Sequence, residues 1–63
     1  MEVLFKSNSY AVVKLTESEM KSIGTSSDYS VIDVFYDKVP MLKNIVGTFR
    51  TPEEAEDWAR DHE

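Results

Sequence analysis

The absence of cysteine is the feature that most constrains how this short chain can fold. With 63 residues and no Cys, it has no disulfide and no thiolate-bound metal to compensate for a small core. A chain of this size buries only about 60% of the surface that its unfolded form exposes. Its hydrophobic content of 41% is nevertheless typical of a folded protein. We therefore expect a single domain over residues 1–63 that depends on side-chain packing.

Runs of β-branched and aromatic residues predict the strands. Residues 2–6 and 9–15 are expected to be extended, with the polar residues between them forming either a bulge or a break between two short strands. Residues 29–37 carry large apolar groups on both faces, which predicts a central strand. After a turn that ends at Pro40, residues 41–49 are predicted to return as the second strand of an antiparallel hairpin.

Capping residues predict two helices. Thr16 and Glu19 have the spacing of a capping box and Gly24 suits a left-handed C-cap, so a helix is predicted over residues 17–23. A second capping box is predicted for Thr51 and Glu54, with Pro at the first helical position. One face of that C-terminal helix, with the tryptophan as its large anchor, is formed by Ala55, Trp58, Ala59 and His62.

These elements together predict an α+β fold with the order β-α-β-β-α. The expected sheet is small, three-stranded and mainly antiparallel. A short helix follows its first strand, and the C-terminal helix packs on one face.

Negative charge is concentrated at the end of the chain. The net charge is −5, and residues 48–63 alone contain two arginines and six carboxylates, a net charge of −4. Such a surface repels phosphate backbones and attracts basic surfaces, so we predict a protein partner with a basic surface and disfavour nucleic acid. The predicted partner-binding residues are Glu53, Glu56, Asp57, Asp61 and Asp28. The alternative, and the commoner case, is a solvated helix face that only aids solubility.

The sequence offers little catalytic chemistry. It has no cysteine nucleophile, and its only histidine is His62, next to the last residue. The carboxylates cluster on a predicted exposed helix, and the two glycines are too far apart for a phosphate-binding loop. We therefore predict that the protein is not an enzyme and has no cofactor and no metal site.

Three further expectations concern location and assembly. The N-terminus lacks the basic and long apolar regions of a signal peptide, and no apolar run is long enough to span a membrane. Together with the absence of cysteine, this favours a cytoplasmic protein without membrane contact. Because the core is small, we also consider a homodimer in which the apolar strand 10–15 pairs across a two-fold axis.

The run that joins the last predicted strand to the C-terminal helix has a recognisable pattern. Its residues are Gly47, Phe49, Thr51, Glu54 and Ala55, with Thr48 inserted after the glycine. This pattern resembles the Gly-Phe-x-Thr-x-x-Glu-Ala run in the arm-type DNA-binding domain of phage integrases. The resemblance covers about half of the chain and implies a strand–strand–helix unit. That family reads DNA with a basic sheet face, whereas the lysines of this hairpin are offset by aspartates, so no DNA-contacting residue is assigned.

Three functions follow from these observations. The first is a small acidic protein-binding module, a regulator or inhibitor of the phage or mobile-element type, that acts through its C-terminal helix. The second is a nucleic-acid-binding strand–strand–helix domain in which Tyr29, Phe35 and Tyr36 stack on bases, although we favour core packing for these aromatics. The third is a structural or oligomerisation domain.

Overall fold

The computed structural model describes every residue from Met1 to Glu63. The chain forms β1 (Glu2–Lys6), β2 (Tyr10–Lys14), α1 (Glu17–Ile23), β3 (Tyr29–Asp33), β4 (Ile45–Phe49) and α2 (Pro52–Asp61), with a 3-10 turn at Leu42–Asn44 before β4. The strands form one antiparallel sheet in the order β1-β2-β3-β4. The α+β class, the antiparallel hairpin and the C-terminal helix are therefore confirmed.

The sheet has four strands, so the prediction of three is wrong. The two N-terminal extended segments are separate strands joined by a tight turn. In this turn the Ser7 amide donates a hydrogen bond to Tyr10 O at 2.8 Å, and the Ser7 hydroxyl donates to the same oxygen at 3.2 Å. The first strand is consequently followed by a second strand and not by a helix; α1 comes after β2.

Strand β2 lies inside the sheet, because it pairs with β1 on one side and β3 on the other. The hydrogen-bonding groups on both of its edges are therefore paired with neighbouring strands of the same chain. The prediction that strand 10–15 pairs with a second copy is therefore wrong. The outer strands are β1 and β4, and each contains one extra residue relative to its partner, Leu4 in β1 and Val46 in β4.

Strand β3 ends at Asp33, short of the predicted end at residue 37. Here the backbone amide of Phe35 donates to Asp33 Oδ1 at 2.9 Å, and the Lys38 amide donates to Val34 O at 2.9 Å. A short aspartate side chain that bonds to the backbone two residues later offers the chain an alternative to the ladder. The returning strand also starts later than predicted, after the 3-10 turn.

The two inner strands bury side chains on both faces of the sheet, which confirms that β3 is a central strand. On one face, Val12 and Val31 pack against Ala55 and Ala59 of α2. The small alanines allow the helix to lie close to the sheet. Four larger side chains surround this cluster and remain partly exposed: Phe5, Tyr10, Phe49 and Trp58.

The opposite face carries the second part of the core. Its buried residues are Ala11, Val13, Leu15, Ile32 and Val34. They are covered by Met20 and Ile23 of α1 and by Leu42 and Ile45 near the start of β4, all of which are only partly buried. Helix α1 itself has no buried residue, so it covers this face only with partly exposed side chains.

Capping chemistry determines where both helices begin. The Glu19 amide donates to Thr16 Oγ1 at 3.2 Å and the Thr16 amide donates to Glu19 Oε1 at 2.8 Å, so the first capping box is complete. The second box is only half formed. The Glu54 amide donates to Thr51 Oγ1 at 3.2 Å as predicted, but the Glu54 carboxylate accepts from the Thr51 hydroxyl at 3.1 Å and not from its amide.

Candidate protein-binding surfaces

The outer side of α2 carries a straight row of carboxylates. Ala55 and Ala59 point at the sheet and are buried, so residues on the other side of the helix face solvent. Glu53, Asp57 and Asp61 are all exposed there. Because they are four residues apart, they lie one above another along the helix. We call these three residues the acidic row.

Glu56 and Arg60 lie beside this row and interact with each other. Arg60 Nη2 donates to Glu56 Oε1 at 2.9 Å, and Arg60 Nη1 lies 3.8 Å from Asp57 Oδ1. The Arg60 guanidinium is also 5.6 Å from the centre of the Phe5 ring, which directs it towards β1. The Glu56 side chain is only 29% exposed. Of the predicted partner-binding residues on α2, Glu56 therefore makes the shorter ion pair with Arg60, and Asp57 makes the longer one.

Asp28 does not belong to the acidic row. It is exposed, immediately precedes β3, and accepts the Leu15 amide through its backbone oxygen at 2.7 Å. Its neighbour Tyr29 pairs with Phe49, the last residue of β4, which places Asp28 at the end of the sheet where α2 begins. Asp61 lies at the other end of α2. The structure therefore brings Glu53, Asp57 and Asp61 together and leaves Asp28 outside their row.

A second surface, which was not predicted as a loop, lies in residues 34–41 between β3 and β4. Tyr36 is 84% exposed and Phe35 is 50% exposed, so the prediction that these two aromatics pack in the core is wrong; Tyr29 is partly buried. The sequence feature that could have indicated their exposure is the turn pattern before Pro40. Because the turn begins earlier than predicted, it includes the two aromatics that were assigned to the strand.

A depression of about 170 Å³ lies beside this loop. Its walls are mainly polar and come from the end of β3, the loop and the 3-10 turn: Asp33, Tyr36, Asp37, Lys43 and Asn44. Asn44 Nδ2 donates to Asp37 Oδ2 at 2.7 Å and thereby joins the loop to the 3-10 turn. The depression is thus a formed feature of the fold.

One carboxylate has a perturbed pKa, and it belongs to neither surface. The backbone amide of Thr16 stabilises the ionised form of Glu19 and lowers its pKa, helped by the Thr16 hydroxyl and by the amino group of Met1, which lies 3.2 Å from Glu19 Oε2. Burial opposes this effect. The lowered pKa therefore reflects the capping of α1 and is not a sign of acid–base chemistry.

No protein-family model, curated protein or solved structure matches this chain. No group of three or more histidine, aspartate or glutamate side chains has the arrangement of a metal site. Neither helix has the length and apolar character needed to cross a lipid bilayer. The surfaces with a distinct chemical character are the acidic row on α2 and the loop and depression between β3 and β4.

Proposed function

We propose that this protein is a small binding domain that places the acidic row of α2 against a basic surface of a partner protein. The observation that carries the proposal is the alignment of Glu53, Asp57 and Asp61 on one exposed line of a helix whose other side is anchored in the core. The three side chains all carry a negative charge and are evenly spaced, four residues apart. Their only ion pair is the long one, at 3.8 Å, between Asp57 and Arg60.

The repeated negative charge of the row has an energetic cost within the helix. Like charges four residues apart on a helix destabilise it by about 0.2–0.5 kcal/mol per pair. The row contains two such pairs, Glu53 with Asp57 and Asp57 with Asp61. A basic residue in the central position would turn both repulsions into attractions. A partner that supplies the opposite charge gives a reason for keeping the row.

The sheet holds the row in a fixed geometry. Residues four apart on a helix are separated by about 6 Å along its axis, so the three carboxylates span about 12 Å. Since α2 is anchored through Ala55 and Ala59, little conformational freedom of its backbone is lost on binding. A basic surface with matching spacing would be neutralised, and a partner whose basic surface normally binds nucleic acid would be inhibited.

Affinity capture with matched variants tests the proposal. The wild-type chain is compared with Asp57→Asn/Asp61→Asn and with a control of equal charge, Glu2→Gln/Glu17→Gln, whose sites are exposed and lie outside α2. A captured partner is then titrated against all three chains at several salt concentrations. We expect the α2 variant to bind about tenfold or more weakly, the control to bind as the wild type does, and affinity to fall with added salt.

Equal affinity for the wild type and the α2 variant would contradict the proposal. Retention of DNA at about 0.15 M salt, with no basic protein captured, would favour the nucleic-acid-binding alternative instead.

A further inference from the structure

The loop of residues 34–41 contains the three most exposed large hydrophobic side chains of the protein, which are Tyr36, Val39 and Phe35. Tyr36 and Phe35 are joined on the same loop by Val39, 55% exposed, and Met41, 38% exposed. The two aromatic rings meet edge to face, with centroids 5.0 Å apart. Single exposed apolar residues are common, but a group of them that includes two aromatics is typical of a protein interaction site.

Hydrogen bonds attach this loop to the rest of the fold and link residues within it. Its start is fixed by the bond from the Phe35 amide to Asp33 and by the bond from the Lys38 amide to Val34 O. From outside the loop, Lys6 Nζ donates to the Lys38 carbonyl at 2.9 Å. The exposed side chains are therefore presented by an ordered backbone, which lowers the entropic cost of binding.

The adjacent depression has two oriented carboxylates. Asp33 and Asp37 each accept one intramolecular hydrogen bond, from Phe35 N and Asn44 Nδ2, through a single oxygen. The second oxygen of each makes no hydrogen bond within the chain. Neither carboxylate has a lysine or arginine nitrogen within 4.0 Å, although Lys43 lines the same depression. Each aspartate is thus held in place with an acceptor still unused.

We propose that the depression and the loop bind a peptide segment of a partner protein that carries an arginine next to apolar side chains. The planar guanidinium donates several hydrogen bonds and stacks on aromatic rings. It suits the unused oxygens of Asp33 and Asp37 and the ring of Tyr36. The neighbouring apolar side chains of the peptide pack on Val39 and Met41. This site is separate from the acidic row, so it stands or fails independently of the function proposed for α2.

The charges of the depression favour a peptide over a nucleic acid. A single strand would stack on Phe35 and Tyr36 and place its phosphates near lysines. However, the depression contains two carboxylates and one lysine, and the whole chain has a net charge of −5. Lys38 of the loop balances one of these charges, but it lies over the Phe35 ring, 5.1 Å from its centroid, and does not line the depression. Within the depression itself, where two carboxylates face one lysine, a guanidinium is attracted and a phosphate group is repelled.

Nuclear magnetic resonance of the ¹⁵N-labelled full chain tests the proposal. The probes are the acetylated, amidated tripeptide Leu-Arg-Leu and the same tripeptide with citrulline, which has the shape of arginine without its charge. We expect the arginine tripeptide to shift the amide signals of residues 33–44 in a saturable manner. The variant Asp33→Asn/Asp37→Asn keeps an oxygen to accept both internal hydrogen bonds, and we expect it to bind about tenfold more weakly.

Two controls separate this site from other effects. Asp28→Asn removes one charge at the opposite end of β3, and Glu2→Gln/Glu17→Gln removes two charges outside the depression, the loop and α2; both variants are expected to bind the arginine tripeptide as the wild type does. The proposal is overturned if the two tripeptides shift the same signals equally, if neither binds, or if the shifts map to α2. It is also overturned if oligothymidine at about 0.15 M salt occupies residues 33–44 in preference to the arginine tripeptide.

Discussion

The indole ring of Trp58 lies parallel to the imidazole ring of His62, with ring centroids 3.8 Å apart and an angle of 11° between the planes. His62 Nδ1 is also 2.8 Å from the Trp58 carbonyl oxygen. The Tyr10 ring meets the same indole edge to face at 5.2 Å. Trp58 is only partly buried, and His62 at the end of α2 covers one of its faces.

Replacing Trp58 by alanine is expected to destabilise the protein by about 2–3 kcal/mol, below the 3–5 kcal/mol typical of a fully buried aromatic. The loss includes the contacts with Tyr10 and Phe49. Because a domain of this size has a net stability of about 3–5 kcal/mol, much of it is lost. Urea unfolding followed by circular dichroism measures the change. Asp57→Ala, one residue away on the exposed side, is the control and should change stability by less than about 0.5 kcal/mol.

Two positions with positive φ should respond to substitution in opposite directions. Gly24 has φ 75°, and a Cβ added there would meet no heavy atom within 4 Å, so Gly24→Ala is destabilising by about 1 kcal/mol for backbone reasons alone. Lys38 has φ 66° although it carries a side chain. Lys38→Gly should therefore be about 1 kcal/mol more stable than Lys38→Ala. Equal stability of these two Lys38 variants in urea unfolding would show that the left-handed conformation carries no strain.

The capping box of α1 should make stability depend on pH. Because folding lowers the pKa of Glu19 from its ordinary value of 4.5, the ionised carboxylate stabilises the native state above that pH, and this contribution disappears as the pH falls through the lowered pKa. Wild type should therefore be more stable than Glu19→Gln at neutral pH, and the difference should shrink at about pH 3. Urea titrations at the two pH values measure it; an unchanged difference would argue against a role for the charge.

Helix α1 should open more readily than α2. It has no buried residue and contacts the core only through the partly buried Met20 and Ile23, whereas α2 has two buried alanines. Local opening is easiest where few apolar contacts are lost. Native-state hydrogen exchange should show faster exchange for the amides of residues 20–23 than for those of residues 56–61. Comparable protection of both helices would mean that α1 opens only when the whole domain unfolds.

The helices were predictable because their signals are local. The residues of the first capping box and Gly24 determine α1 within the short stretch 16–24, and the structure has α1 at the predicted residues. The start of α2 follows from Thr51 and Pro52. Exposure of Glu53, Asp57 and Asp61 follows from helical periodicity once the alanine face is recognised.

The strand boundaries were less predictable because composition does not report tertiary contacts. Phe35 and Tyr36 are favourable strand residues, yet they lie in a loop because the side chain of Asp33 bonds to the backbone where the ladder would continue. The depression depends on contact between Asp37 and Asn44, which are seven residues apart. Their pairing depends on where β3 ends, and the sequence pattern placed that end at residue 37 instead of Asp33.

The extra residues Leu4 and Val46 have a consequence for the behaviour of the protein in concentrated solution. Each interrupts the even spacing of hydrogen-bonding groups on an outer strand, so a straight strand from another molecule cannot match either border along its whole length. Strand β4 has no charged residue to discourage such pairing. On that border the irregularity at Val46 is therefore the feature that disfavours pairing with a strand of another molecule.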